Sequence, residues 1–163
     1  MIFMKTSNKG ITSLLVCYLP VVAVQIVSSL ITTASDSSWY QNLKKSMWTP
    51  PPVVFGVVWT ILYAMMAMAV WVVYRTKICS REKKIAYTLF FAQLVANGLW
   101  PYIFFGLHNP TLALANLSIL FLLIVATATQ FFRIHLLAGL LLIPYVMWTA
   151  YALYLNAAIC WLN

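Results

Sequence analysis

Charged side chains are scarce in this sequence, and acidic ones are almost missing: 7% of its 163 residues are charged, and only two are Asp or Glu. A soluble domain carries about a quarter charged residues. The shortage argues against a water-soluble globule, a disordered chain and a nucleic-acid-binding protein. The net charge of +8 would suit the last of these, but the cations form short clusters between uncharged runs rather than one stripe.

Glycine and the usual catalytic constellations are scarce too. With five glycines and no recurring strand-length segments between turn signals, the chain does not resemble a transmembrane β-barrel. The long apolar runs contain no Asp, Glu, Lys, Arg or His, so they offer no acid or base for catalysis. His108 and His135 fall in different connections, and the three cysteines are scattered. We therefore expect no metal site and no firm catalytic residue.

Apolar residues are what the sequence has in abundance, at 64% of the chain and a mean hydropathy of +0.91. A bilayer core of about 30 Å requires roughly 20 apolar residues as a helix. Five segments meet this length: residues 11–33, 53–74, 85–107, 111–132 and 136–162. The sequence predicts an all-α membrane protein, with residues 1–163 forming a single bundle of five transmembrane helices. A long ordered loop, here called loop 1 (residues 34–52), joins the first two helices.

The cations predict how the bundle is oriented. Eight of the ten lie on the side of the amino terminus if every span crosses the membrane, and only Lys44 and Lys45 lie on the other side. Cytoplasmic loops carry an excess of Lys and Arg. In a bacterial inner membrane we therefore expect the amino terminus in the cytoplasm, and loop 1 and the carboxyl terminus outside.

Aromatic and amide side chains recur at helical spacing on three of the spans. These stripes are Phe55, Trp59 and Tyr63 in the second span; Gln93, Asn97, Trp100 and Phe104 in the third; and Tyr145, Trp148, Ala152 and Asn156 in the fifth. One interpretation is that the rings fill the bundle core or populate the membrane interface. The other is that they converge under loop 1 as an aromatic pocket for a flat apolar ligand.

Four motifs in register with these spans carry a resemblance to a known family. Residues 39–51 read WYQNLKKSMWTPP, close to the pattern W-Y-x-x-L-x-K-P-x-W-x-P-P. Further matches are VWTILY at 58–63, NGLWPYIFFG at 97–106 and PYVMW at 144–148. The chain resembles the TspO/MBR family, also called tryptophan-rich sensory protein, translocator protein or peripheral-type benzodiazepine receptor. It departs from the pattern at Ser46, where the family has Pro, and at Pro52, where Gly is frequent.

The resemblance implies a five-helix bundle, often dimeric, that binds porphyrins and isoquinoline or benzodiazepine drugs beneath loop 1. The resemblance implies no required cofactor, since a porphyrin would be the ligand of the protein. Carried over by motif position, the ligand-binding residues would be Tyr40, Pro50, Phe55, Trp59, Tyr63, Asn97, Trp100, Phe104, Trp148, Ala152 and Leu155.

Three functions follow from the resemblance and the spacing. The first is a membrane receptor or sensor for a tetrapyrrole such as protoporphyrin IX. The second is a light- and oxygen-dependent porphyrin-degrading enzyme, with Trp59 and Trp148 as candidate catalytic residues, and the third is a transporter of porphyrin or lipid-like molecules. The partners would be this small molecule, membrane lipid and a second copy of the chain, but not nucleic acid. Ala92 and Ala96 form a small-xxx-small pair on the third span that fits either a homodimer or close packing inside the monomer.

Overall fold

The computed structural model describes residues 5–34 and 37–163, and within them the fold is entirely helical. Seven α-helices follow one another along the chain, and the fourth continues into a π-helical turn, Tyr102–Gly106. Their bounds are α1 Lys5–Ala34, α2 Ser37–Asn42, α3 Pro52–Arg75, α4 Ser80–Pro101, α5 Pro110–Ile134, α6 Leu136–Leu140 and α7 Ile143–Leu162. The predicted fifth helix, residues 136–162, is interrupted at residues 141–142 and so forms α6 and α7, and the short α2 in loop 1 adds to the five predicted helices.

The predicted bundle of membrane-spanning helices is confirmed. Among the described residues, four helical segments are long and apolar enough to cross a membrane: Pro52–Arg75, Ser80–Gly106, Pro110–Ile134 and Leu136–Leu162. The fifth apolar segment, Cys17–Thr33 within α1, is shorter. Helices α1 and α4 begin five or six residues before their apolar runs, because a helix can extend past the bilayer surface with its charged residues in water. The third span was predicted from residue 85, whereas α4 begins at Ser80.

Proline and polar caps set several helix boundaries. Pro52 and Pro110 occupy first-turn positions of α3 and α5, where a missing N–H costs no hydrogen bond. The Asn109 side chain accepts a hydrogen bond from the Leu112 amide at 2.9 Å and caps α5. His135, which the sequence places in a connection, is exposed and caps α6 by accepting from the Leu137 amide at 3.2 Å.

The third span changes its helical geometry at Pro101. Proline cannot donate a backbone hydrogen bond and disturbs the preceding turn. From Tyr102 to Gly106 the chain forms a π-helical turn, which the Leu107 amide closes on the Tyr102 carbonyl at 2.9 Å. His108 follows with a φ of 50°, in the left-handed region. This turn determines which rings at the end of the span face loop 1.

The helices pack as a ring in which α1 contacts α3 and α4, α4 contacts α5, and α5 contacts α6 and α7. The ring closes where α3 packs against α6. Between α3 and α7, by contrast, large side chains make the contact: Phe55 meets Trp148, and Trp59 meets Tyr145. The two helices therefore stand further apart toward loop 1 than at α6.

Two small residues mark close approaches. Gly139 in α6 lies against the Phe132 ring, which a Cβ at this position would overlap. Ala96 of the small-xxx-small pair is buried, and its carbonyl accepts a hydrogen bond from the Asn116 amide of α5 at 3.0 Å. Packing inside the monomer thus accounts for Ala96, and the homodimer stays a prediction.

Candidate functional site

A chain of buried hydrogen bonds joins three helices in the middle of the bundle. The Tyr63 hydroxyl of α3 donates to Asn97 Oδ1 of α4 at 2.6 Å. Asn97 Nδ2 donates to the Tyr145 hydroxyl of α7 at 2.8 Å, and that hydroxyl donates to Gln93 Oε1 at 2.9 Å. All four residues are buried. In hydrocarbon such polar groups must find partners within the protein, so this network fixes α3, α4 and α7 relative to one another.

The Trp59 indole packs directly on this network. Its ring centroid lies 5.5 Å from that of Tyr63 and 6.0 Å from that of Tyr145, in an edge-on arrangement with Tyr145. Closer to loop 1, Phe55 and Trp148 meet edge-to-face at 5.7 Å. Phe55 and Trp59 lie one helical turn apart on α3, so these two sets of contacts adjoin. We call the five predicted site residues in them the aromatic wall: Phe55, Trp59, Tyr63, Asn97 and Trp148.

A second aromatic cluster lies where loop 1 meets the end of the third span. Phe104 is buried and stacks on Trp100 at 4.9 Å. From loop 1, the Tyr40 and Trp39 rings contact Phe104 at 6.1 and 5.6 Å, and Trp39 also stacks on His108 at 4.4 Å. The predicted residues Tyr40, Trp100 and Phe104 are thus brought together, in a cluster of their own.

Asn156 connects this second cluster to the rest of the bundle. Its Oδ1 accepts from the Trp100 indole N–H at 3.1 Å, and its Nδ2 donates to the Pro110 carbonyl at 2.9 Å. The predicted residue Leu155 is buried beside it, whereas Ala152 and Pro50 are half-buried. Asn156 appeared in the aromatic stripe of the fifth span, but spacing alone could not show that it orients Trp100.

Loop 1 is fastened to α7 by polar contacts that the sequence did not reveal. The Ser46 and Tyr154 hydroxyls lie 2.8 Å apart, and the Tyr151 hydroxyl donates to the Trp48 carbonyl. Ser46 occupies the position where the family pattern has Pro, so this departure supplies a hydrogen-bonding group. Within loop 1, desolvation by burial raises the pKa of the Tyr40 phenol above its usual value.

A groove of about 410 Å³ runs between α3 and α7. It is lined by Val58, Ile61, Leu62, Pro144, Met147, Trp148 and Tyr151, of which only Trp148 was predicted as a site residue. The Trp148 indole N–H is buried and has no hydrogen-bond acceptor among the described residues. A buried donor without a partner is rare in proteins, and this one belongs to a ring that lines the groove.

Metal ligands do not cluster anywhere in the described residues. No three His, Cys, Asp or Glu side chains there come close enough to hold a metal ion, and Cys17, Cys79 and Cys160 are free thiols. The two aromatic clusters present indole, phenol and amide groups, which stack, bury apolar area and form hydrogen bonds.

These features define a class: a multi-pass, all-α membrane protein with an aromatic interior under an ordered loop. The sequence model of the TspO/MBR family matches residues 16–162. The chain belongs to the TspO/MBR family, a family of membrane sensors and translocators.

Relatives from distant organisms agree with this assignment. The chain is 38% identical to the tryptophan-rich protein TspO of Chlorobaculum tepidum over 96% of its own length and 99% of that protein. It is 37% identical to a tryptophan-rich sensory protein of Cereibacter sphaeroides, with 72% of each chain covered. It is 34% identical to the human translocator protein, over 80% of this chain and 78% of the human one.

Proposed function

We propose that this protein is a receptor for a flat tetrapyrrole such as protoporphyrin IX, which it binds against the aromatic wall of α3 and α7. The observation that carries the proposal is the position of Trp148. Its ring forms part of the wall with Phe55, it lines the groove, and its indole N–H lacks an acceptor. A flat ligand that carries a hydrogen-bond acceptor could stack on this ring and also accept from the indole N–H.

The shape of the site supports a flat, apolar ligand. The groove volume of about 410 Å³ falls within the range of about 300 to 1,000 Å³ usual for small-molecule sites. Aromatic rings contribute about 0.5–1.5 kcal/mol per pair beyond the area that they bury. A macrocycle inserted between α3 and α7 would meet Trp148, which lines the groove. Trp59 lies one helical turn beyond Phe55, the ring that Trp148 contacts.

The carboxylates of the ligand require a cation near the membrane surface. Lys45 Nζ donates to the carbonyls of Gln41 and Leu43 at 3.2 and 3.0 Å and lies 4.6 Å from the centre of the Tyr40 ring. Lys44 is exposed in the same loop. The exposed Lys44 is therefore the candidate that we favour to pair with a propionate that extends from the groove.

Titration of protoporphyrin IX into detergent-solubilised protein tests the proposal. We expect saturable binding, and a loss of about tenfold or more in affinity for a Trp59→Ala, Trp148→Ala double variant, a change of at least about 1.4 kcal/mol. Trp161→Ala is the matched control, because Trp161 is 89% exposed and lies away from the groove. Equal affinity of the double variant and the control would refute this site.

Illumination of the same complex in air separates a receptor from the porphyrin-degrading enzyme that the resemblance also implies. If the protein only binds the porphyrin, the porphyrin absorbance decays at the same rate with the protein as without it in detergent. Protein-dependent acceleration that is lost in single Trp59→Phe or Trp148→Phe variants would instead favour the enzyme. A sample kept in the dark shows how much of the absorbance change comes from slow dissociation of the porphyrin rather than from light.

A further inference from the structure

A second cavity lies at the opposite end of the bundle from loop 1, where α4 begins. This groove of about 620 Å³ is lined by Ser80, Lys83, Lys84, Tyr87, Thr88 and Phe91. The spacing of these residues places them all on one face of α4. The ammonium groups come first along the helix and the Phe91 ring comes last, so the groove is cationic at the membrane surface and apolar toward the membrane interior.

The polar groups of the groove retain free hydrogen-bonding capacity. Lys83 Nζ donates to the Tyr74 carbonyl at 2.9 Å, which uses one of the three donors of an ammonium. The Tyr87 hydroxyl is buried and has no hydrogen-bond partner in the described part of the chain. Tyr87 lies one turn beyond Lys83 and Lys84 on α4 and lines the groove between its cationic and apolar ends. An acceptor oxygen placed there would complete its hydrogen bonding.

The surroundings of the groove favour an anion. Residues 75–84 contain five cations and a single carboxylate, that of Glu82. Lys84 and Arg81 are exposed, so their charges are available to a ligand at the surface. Basic pockets at the ends of membrane helices are typical binding sites for anionic lipid head groups. A soluble anion would leave the apolar end at Phe91 unused.

We propose that this groove binds an anionic phospholipid, with its phosphodiester group between Lys83 and Lys84. The Tyr87 hydroxyl donates to an oxygen of the phosphate or of the glycerol ester. The adjoining acyl chain lies along Phe91 on the surface of α4. This site is separate from the aromatic wall of α3 and α7 and does not depend on what binds there.

Lipid titration into the detergent-solubilised protein, read by native mass spectrometry, tests the proposal. We expect phosphatidylglycerol to bind about tenfold more tightly than phosphatidylcholine with the same acyl chains. A Lys83→Gln, Lys84→Gln double variant should reduce this preference to less than about threefold, and Tyr87→Phe should weaken phosphatidylglycerol binding while leaving both cations in place. Circular dichroism and protoporphyrin titration of each variant verify that the bundle is intact.

Two control experiments distinguish this site from general electrostatic attraction and from binding of a free phosphate. A Lys77→Gln, Arg81→Gln variant removes two charges from the same cation-rich segment, residues 75–84, at positions that do not line the groove, and it should keep the preference for phosphatidylglycerol. If it loses the preference as completely as the groove variant does, the attraction is general and the proposal is wrong. Inorganic phosphate and glycerol 3-phosphate should not compete at concentrations that saturate the lipid, and effective competition would show that the groove recognises a free phosphate instead.

Discussion

Asn163 holds both backbone polar groups of Lys44. Its Oδ1 accepts from the Lys44 amide at 3.0 Å, and its Nδ2 donates to the Lys44 carbonyl at 3.1 Å. One side-chain amide thus pairs with the N–H and the C=O of a loop 1 residue that lies 119 residues away along the chain. Together with the contacts of Tyr151 and Tyr154, it makes α7 the support on which loop 1 rests.

Replacement of this amide should loosen loop 1. Each of the two hydrogen bonds contributes about 0.5–1.5 kcal/mol, so Asn163→Ala should speed hydrogen exchange at the amides of residues 44–49 by about tenfold. The bundle itself should keep its exchange rates, because the core residues are not affected. Asn42→Ala, the same change at an exposed loop position, is the control and should leave residues 44–49 unchanged.

The buried network predicts graded losses of stability. Tyr63→Phe removes one hydrogen bond and leaves Asn97 Oδ1 without its donor. Hydrogen bonds inside membrane proteins average about 0.6 kcal/mol and reach about 1.7, and we expect a loss in this range. Tyr145→Phe should cost more, because that hydroxyl accepts from Asn97 and donates to Gln93.

Unfolding of these variants in mixed micelles, followed by circular dichroism, measures the losses. Tyr102→Phe removes an exposed phenol and should be neutral. Strictly additive effects of Tyr63→Phe and Tyr145→Phe in the double variant would contradict a connected network, since residues that share a partner are expected to be coupled.

Replacement of glycine by alanine should have opposite effects on stability at Gly139 and Gly56. Gly139→Ala places a Cβ into the Phe132 ring and should cost about 1–3 kcal/mol, as overpacking does. Gly56→Ala meets no atom within 4 Å and should be neutral or stabilising by up to about 1 kcal/mol, because alanine favours a helix. Thermal unfolding in detergent measures both. Restoration of Gly139→Ala by Phe132→Leu would identify the clash, whereas no restoration would place the cause elsewhere.

Cys79 provides a test of the predicted orientation. It is exposed in the short connection between α3 and α4, on the cation-rich side. If that side faces the cytoplasm, a membrane-impermeant maleimide should modify Cys79 in lysed but not in intact cells. Met47→Cys, at a loop 1 position that is 91% exposed, should be modified in intact cells. The reverse pattern would invert the topology.

The positions of the membrane helices could be predicted because hydropathy depends only on local sequence. The absence of charge between residues 53 and 74, for example, predicts α3 to within a residue at each end. Breaks inside a span could not be predicted in this way. Neither the π-helical turn after Pro101 nor the interruption at residues 141–142 changes the apolar character of its span.

The sequence predicted which candidate site residues share a helix face, but not which side chains they contact on other helices. The spacing of Phe55, Trp59 and Tyr63 shows that they share a face. That Trp148 meets Phe55 whereas Trp100 meets Phe104 depends on how far apart the helices stand, which no single segment encodes. The fastening of loop 1 by Tyr151, Tyr154 and Asn163 was missed for the same reason, since a lone hydroxyl or amide carries no spacing signal.

The gap between α3 and α7 has a consequence for how affinities are measured. Its walls are apolar and include Ile61 and Met147, which are 54% and 68% exposed, so lipid tails or detergent alkyl chains can occupy it. Every guest molecule must therefore displace hydrocarbon rather than water, and the apparent dissociation constant will rise with the concentration and chain length of the solubilising amphiphile. Values obtained in different detergents become comparable only after extrapolation to a common mole fraction.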